Sequence, residues 1–219
     1  MGRGLPCHGL LGHGIMPVAH TTEAYSMNHF FAYLDRLKLI RRWGLMRNIE
    51  QENDMEHSMQ TAMIAHGLAV LGNRRYGRSV SPESIVTIAL YHDASEALTG
   101  DLPTPVKYKN PEMQTAYHDI ENRARQRLLC MLPKDMQPDF APYIQPDESG
   151  ECWQLVKAAD RISAYLKCLT EEKLGNGEFA KAKETILESL TASPLPEVGD
   201  FLREFVPSYT LTPDELSRG

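Results

Sequence analysis

The sequence predicts an all-α fold. Three observations carry that expectation. Apolar residues recur at helical i, i+3, i+4 spacing in six separate stretches. No stretch alternates apolar and polar residues as a strand would, and no repeat appears. Helix punctuation stands where the periodic stretches begin and end, as at Ser81-Pro82 and Thr99-Gly100. A length of 219 residues with 42% hydrophobic content suits one domain with a substantial core.

Residues 1–26 are unlike the rest. Met1 to His20 holds five glycines and three histidines (His8, His13, His20) and has no periodicity. It lacks the unbroken apolar stretch and cleavage site of a signal peptide. We expect a disordered leader, from a translated vector segment or a start codon set too far upstream, with Met27 as a natural beginning and residues 27–219 as a single domain.

From Asn28 the pattern turns helical, with Phe30, Phe31, Leu34, Leu37 and Ile40 on one face and a stop near Gly44. Arg42-Trp43 opens an irregular stretch. An arginine beside a tryptophan can anchor a phosphate and wall off a sugar; the pair equally describes a surface arginine next to a core tryptophan. Asn53 or Asp54 caps the next helix, whose apolar face is read as Met59, Met63, Ile64, Ala65, Leu68, Ala69 and Leu71. His57 lies in its first turn, as an accessible ligand or an ordinary surface residue. Asn73 to Ser79 reads as a basic turn.

A buried helix is expected from Pro82 to Thr99. Ile85, Ile88, Ala89, His92 and Glu96 share one stripe, and Val86, Leu90, Asp93 and Ala97 the next. His92 and Asp93 then point about 100° apart, with Glu96 about 40° round from His92. A divalent metal satisfies an imidazole and a carboxylate together on such an apolar helix; the pair equally describes a core histidine beside a solvated aspartate. Asp101-Leu102-Pro103-Thr104-Pro105 follows, stiffened by its prolines. It either holds Asp101 and Thr104 beside that metal or simply ends the helix.

A helix over 111–132 is expected to bury Ile120, Ala124, Leu128 and Leu129, with a short helical turn near Phe140. Glu151 to Leu174 is the last long core helix, lined by Leu155, Val156, Ala159, Ile162, Leu166 and Leu169. Asp160 sits in its middle, against propensity. It either pairs with Lys157 or Arg161 or completes a metal site. Glu178 to Leu190 is amphipathic, Thr191 to Gly199 reads as a linker, Phe201 to Phe205 as a helical turn, and the chain is expected to fray from Thr212.

Net charge is −6 with no basic block, which disfavours nucleic-acid polymers and membrane surfaces as partners. No apolar run approaches the ~20 residues that span a bilayer. Cys7, Cys130, Cys152 and Cys168 form no CxxC pair, so a reduced, cytoplasmic protein is expected.

His57, then His92-Asp93, then Asp160 gives His … His-Asp … Asp on three helices. This order resembles the HD-domain metal-dependent phosphohydrolases. Arg41-Arg42-Trp43 with Leu45 to Asn48, Glu56-His57-Ser58, Tyr91 to Glu96, Thr99 to Lys107, Lys157 to Asp160, Tyr165 to Leu169 and Phe205 to Ser208 bring the match to the bacterial HD-domain 5′-deoxynucleotidases. The resemblance runs from about Asn28 onward and implies an HD-domain helical bundle. It implies that His57, His92, Asp93 and Asp160 ligate one divalent transition metal cation such as Co²⁺ or Mn²⁺. Arg42 would orient the phosphate and Trp43 line the deoxyribose. Asp101, Leu102, Pro103 and Thr104 would contact the nucleotide, with His57, Asp93 and Asp160 also at the substrate. Glu96 would be a catalytic carboxylate. The implied reaction converts a deoxyribonucleoside 5′-monophosphate to deoxynucleoside and phosphate, in a homodimer.

The residues agree with that chemistry. Two imidazoles and two carboxylates leave open positions on an octahedral ion, where a water loses its proton more easily. Glu96 can orient or deprotonate the attacking water. Asp101 could protonate the leaving 5′ oxygen or hold Glu96, and the sequence does not divide those roles. Two rivals are another HD-domain nucleotide phosphohydrolase and a non-catalytic nucleotide-binding regulator. The first gives no reason for Arg42-Trp43 with Asp101 to Thr104; the second needs neither Glu96 nor all four ligands.

Overall fold

A computed structural model describes residues 27–107 and 109–218, with the side chain of Thr104 outside that description. The expected leader, 1–26, also lies outside the described residues. The elements in order are α1 (Phe30–Leu34), α2 (Asp54–Arg75), α3 (Pro82–Tyr91), α4 (Glu96–Thr99), α5 (Thr104–Lys107), α6 (Pro111–Leu129), α7 (Gln137–Ile144), α8 (Glu151–Lys173), α9 (Ala180–Thr191), α10 (Pro196–Glu204) and α11 (Pro213–Leu216). Among the described residues there is no strand; Arg41 and Asn53 form one isolated antiparallel bridge.

The long helices α2 and α8 pack with α3 around a core that includes Ala65, Leu68, Ile85, Leu155 and Ile162, closed by Val198 and Phe201 of α10. A second core joins Phe30, Leu34 and Leu37 to Ala94, Leu128, Leu129 and Ile144. Ala89 belongs to the first core and Ala94 to the second. His92-Asp93 therefore falls on the seam between them.

Several expectations are corrected. The helix expected from Pro82 to Thr99 is broken: α3 ends at Tyr91, and 92–95 are tight turns. Short i, i+3 bonds carry the chain there, from Ala94 N to Tyr91 O (3.0 Å) and from Glu96 N to Asp93 O (2.9 Å). Gly100, at φ 73, does end α4 as its sequence position implies. The first helix is a single turn continued as a 3-10 helix, Asp35–Leu39. On α2 the buried face is turned away from the methionines: Met59 and Met63 are 54% and 64% exposed. Thr61 and Ala62 are buried in their place, and Ile64, Ala65, Leu68, Ala69 and Leu71 are buried as expected. Helix α2 also runs on to Arg75, into the expected turn. Ile120 is half exposed on α6, although Ala124, Leu128 and Leu129 are buried. The expected linker after Thr191 already contains the start of α10, with Pro196 at a first-turn position. The C-terminal stretch holds α11, closed by a Thr212–Glu215 capping box.

Candidate metal centre and active site

Helix α2 begins with a capping box in which Asn53 takes the N–H groups of Met55 and Glu56, and Glu56 reaches back to Asn53 N. That start fixes the next turn and buries His57 to 1% exposure. His57 Nδ1 lies 3.0 Å from Ser163 Oγ, whose hydroxyl donates to Gln60 Oε1 at 2.7 Å. With the serine proton so placed, Nδ1–H donates, and Nε2 is the nitrogen turned toward the carboxylates. His57 Nε2 faces Asp160 Oδ1 at 3.0 Å and Asp93 Oδ2 at 3.7 Å.

His92 is set by the break in the helix. Ala89 O no longer takes the regular bond from Asp93 N and instead receives His92 Nδ1–H at 2.7 Å. His92 Nε2 is then a buried lone pair with no hydrogen-bond donor facing it. It lies 3.1 Å from Asp93 Oδ2 and 3.9 Å from Asp160 Oδ1. One ligand atom each from His57, His92 and Asp160 falls within 4.8 Å of the others. Asp93 stands beside this set. Asp160 keeps Oδ1 toward the histidines while its Oδ2 takes Lys157 Nζ, so its pairing with Lys157 leaves one oxygen facing the candidate cluster.

Burial raises the Asp93 and Asp160 carboxyls, but their partners outweigh it. His92 and Arg42 hold Asp93 well below the usual carboxylate range, and Lys157 with His57 does the same for Asp160. Burial and Arg42 work against a charged His57, yet Asp160 and Glu52 still raise it. Anionic oxygens, a proton held by them on His57 and an orphaned imidazole nitrogen fit a divalent cation, which would take that proton's place.

Arg42 and Trp43 enter from an irregular loop whose ends are pinned by Arg42 N to Glu52 O (3.1 Å) and Asp54 N to Ile40 O (3.2 Å). Arg42 Nη1 reaches Asp93 Oδ2 at 3.3 Å and lies 3.9 Å from Asp54 Oδ1. Trp43 has φ 57, left-handed backbone that a bulky side chain adopts at a cost of about 1–3 kcal/mol. Its indole N–H donates to Glu52 Oε2 at 3.0 Å. Glu52 also lies 3.5 Å from Arg42 Nε and 3.7 Å from His57 Nδ1, tying the loop to the histidine.

The carboxyl groups of Glu96 and Asp54 are 5% and 0% exposed by residue. Neither Asp54 oxygen nor Glu96 Oε2 meets an N–H or hydroxyl donor. Each carboxyl acts on the other's titration: Asp54 helps to raise Glu96, and Glu96 pulls Asp54 down against its burial. Burial first, then the charges of Asp93 and Asp54, push Glu96 well up, and burial lifts Asp54 to about 7. Asp101, half-buried, is also raised, by burial against the pull of Arg42. Leu102 and Pro103 are half-buried beside it.

The structure thus gathers His57, His92, Asp93, Asp160, Arg42, Trp43, Glu96 and Asp101. The side chain of Thr104 lies outside the described residues. Glu52, Asp54, Gln60 and Ser163 were missed. One signal was readable: Asn53 with Glu56 three places on is a capping-box spacing, which leaves Asp54 free of the cap.

Residues 29–209 match the profile of the family described as 5′-deoxynucleotidase YfbR-like. The chain belongs to the YfbR-like 5′-deoxynucleotidase family. It is similar to a 5′-deoxynucleotidase of Vibrio parahaemolyticus, 51% identical over 191 residues, 87% of this chain and 98% of the relative. A 5′-deoxynucleotidase of Vibrio cholerae is 50% identical over 195 residues, covering 87% and 98% of the two chains. Among solved structures, an HD-domain phosphohydrolase from Listeria innocua shares the fold with a TM-score of 0.71 at 22% identity, over 86% of this chain and 92% of that one. The cyanophage S-2L HD phosphohydrolase DatZ, bound to dA and one catalytic Zn²⁺, shares it with a TM-score of 0.58 at 21% identity, over 82% and 95%. This YfbR-like chain is therefore a 5′-deoxynucleotidase family member with the fold of the HD-domain phosphohydrolases.

Proposed function

We propose that the chain hydrolyses 2′-deoxyribonucleoside 5′-monophosphates to deoxynucleoside and phosphate, with one Co²⁺ or Mn²⁺ held by His57, His92, Asp93 and Asp160. The observation that carries this is Arg42 Nη1, a fixed cation 3.3 Å from Asp93 Oδ2, beside ligand atoms of His57, His92 and Asp160 that fall within 4.8 Å of one another. A bound divalent ion would acidify a water and draw charge from the phosphoryl oxygens. Arg42 meets the phosphate with directed donors. Trp43, locked to Glu52, walls the deoxyribose, and Asp101 to Thr104 close over the nucleotide. Glu96 serves the attacking water, and Asp54 beside it can receive a proton and return it; a carboxyl lifted to about 7, as Asp54 is, suits such exchange. Asp101 serves the leaving 5′ oxygen. The homodimer is supported by the exposed stripe Met55, Met59 and Met63 along α2. A reducing cytoplasm is supported by Cys130, Cys152 and Cys168, all free thiols.

The test is phosphate release from mono-, di- and triphosphates, ribo- and deoxyribo-, with and without Mn²⁺ or Co²⁺. Metal-dependent release from deoxynucleoside monophosphates is expected. Preference for triphosphates would move the chain to another HD activity, and no release would make it a binding protein. A buried hydroxyl without a partner costs about 1–3 kcal/mol, so a dAMP over AMP preference of roughly ten- to two-hundredfold is within reach. Trp43→Ala should narrow that ratio, whereas Arg42→Ala should lower kcat/KM for both. An unchanged ratio in Trp43→Ala would place the wall elsewhere.

A further inference from the structure

The loop bearing Arg42 and Trp43 is held at its far side by groups outside the site. Glu171 of α8 is fully buried. Its Oε2 accepts Ile49 N–H at 3.0 Å and its Oε1 accepts Glu50 N–H at 3.0 Å. Lys167 Nζ bridges Glu171 Oε1 and Glu50 O. Helix α8 then ends in a Schellman turn, with Asn176 N bonded to Glu171 O at 2.8 Å and Gly175 N to Glu172 O at 2.9 Å. Gly175 takes the left-handed conformation this needs, at φ 86. The turn brings Asn176 back so that its Nδ2 donates to Glu171 Oε2 at 2.7 Å and to Arg47 O at 2.6 Å. Arg47 N in turn donates to Glu178 Oε1 at 3.1 Å, and Phe179 packs on the Trp43 indole with centroids 5.3 Å apart.

A buried carboxylate is costly unless its oxygens are filled. Here two backbone N–H groups of an irregular loop, one amide and one ammonium fill them. Burial works against the charge, but these donors hold the carboxyl at about 2. The loop also contains the strained Trp43, which persists only where its surroundings over-determine it. We infer that Glu171, with Lys167 and Asn176, is a positioning group that clamps the 42–52 loop and presets Arg42 and Trp43 against the metal cluster. This rests on the reading that Arg42 and Trp43 bind the substrate. Glu171 touches neither substrate nor metal ligand, so its effect passes through the loop.

The test uses Glu171→Gln in the full chain, an amide of the same shape that keeps one acceptor and loses the charge. Loss of a charged hydrogen bond is worth about tenfold. Amide exchange over 42–52 should speed up about tenfold while α2 and α3 stay protected. KM for dAMP should rise about tenfold with kcat changed less than threefold, the dAMP/AMP ratio should narrow, and Mn²⁺ binding should be unchanged. Asn176→Ala should show the same pattern more weakly and serves if the buried variant does not fold. Exchange that speeds up equally throughout the molecule would make Glu171 a general stability residue and overturn the inference. A looser loop with KM and sugar ratio unmoved would overturn it too. A wild-type chain inert toward every nucleotide would sink the substrate reading instead, and the exchange pattern alone would then decide the clamp.

Discussion

Asp54 is fully buried, its two oxygens meet no hydrogen-bond donor, and Arg42 Nη1 lies 3.9 Å away. That arrangement has a signature in stability. An ordinary aspartate titrates near 3.8, and Asp54 in the folded chain near 7. The folded state thus binds the proton more tightly, so its advantage is whole below about pH 3.8 and is lost as pH rises through 7. Three pK units correspond to an upper bound of about 4 kcal/mol. In metal-free protein, Asp54→Asn should therefore raise stability at pH 8 and lose that gain near pH 4, read from urea unfolding at both pH values. A gain independent of pH would mean that Asp54 is not the group carrying the proton. A carboxyl that is neither fully acid nor fully base at neutral pH is suited to proton exchange.

At the scale of the element, the start of α2 does two tasks. Its Asn53–Glu56 box caps the helix and also sets the angle from which His57 and Asp54 enter the site. Asn53→Ala should cost about 1 kcal/mol of stability. Metal affinity should fall by more than that, since His57 sits within the turn the cap fixes; a titration of Mn²⁺ against the variant compares the two. An affinity loss no larger than the stability loss would confine Asn53 to capping. Helix existence was legible because apolar spacing survives in every long element. The break after Tyr91 was not, because a chain tightened from i, i+4 to i, i+3 bonding keeps nearly the same apolar period. The burial of α2 was misread at Met59 and Met63, which are apolar yet lie opposite the face that meets α3 and α8. His57, His92, Asp93 and Asp160 were legible through their order along the chain. Glu52, Asp54 and Glu171 were not, because what defines them is contact with residues from other parts of the chain: Glu171 meets Ile49 from 122 residues away.

Across the whole molecule, the candidate metal cluster joins α2, the turn after α3 and α8 at the seam of two cores. A cation there ties together elements that each core holds separately. A ligand bound at a hundred times its dissociation constant adds about 2.7 kcal/mol. For a domain of this size that corresponds to a Tm lower by about 5–10 °C after chelation. Scanning calorimetry with and without EDTA, followed by Mn²⁺ return, checks it; a Tm indifferent to chelation would mean the cluster is already rigid without the ion. The two histidines of that cluster differ in how they can drift. The proton on His57 is steered by Ser163 and Gln60, side chains that a single codon change can replace. The proton on His92 is steered by the carbonyl of Ala89, and every amino acid supplies a carbonyl. Random variation can therefore retune one candidate ligand in small steps through positions 60 and 163, while the other stays immune to it unless the turn itself is remade.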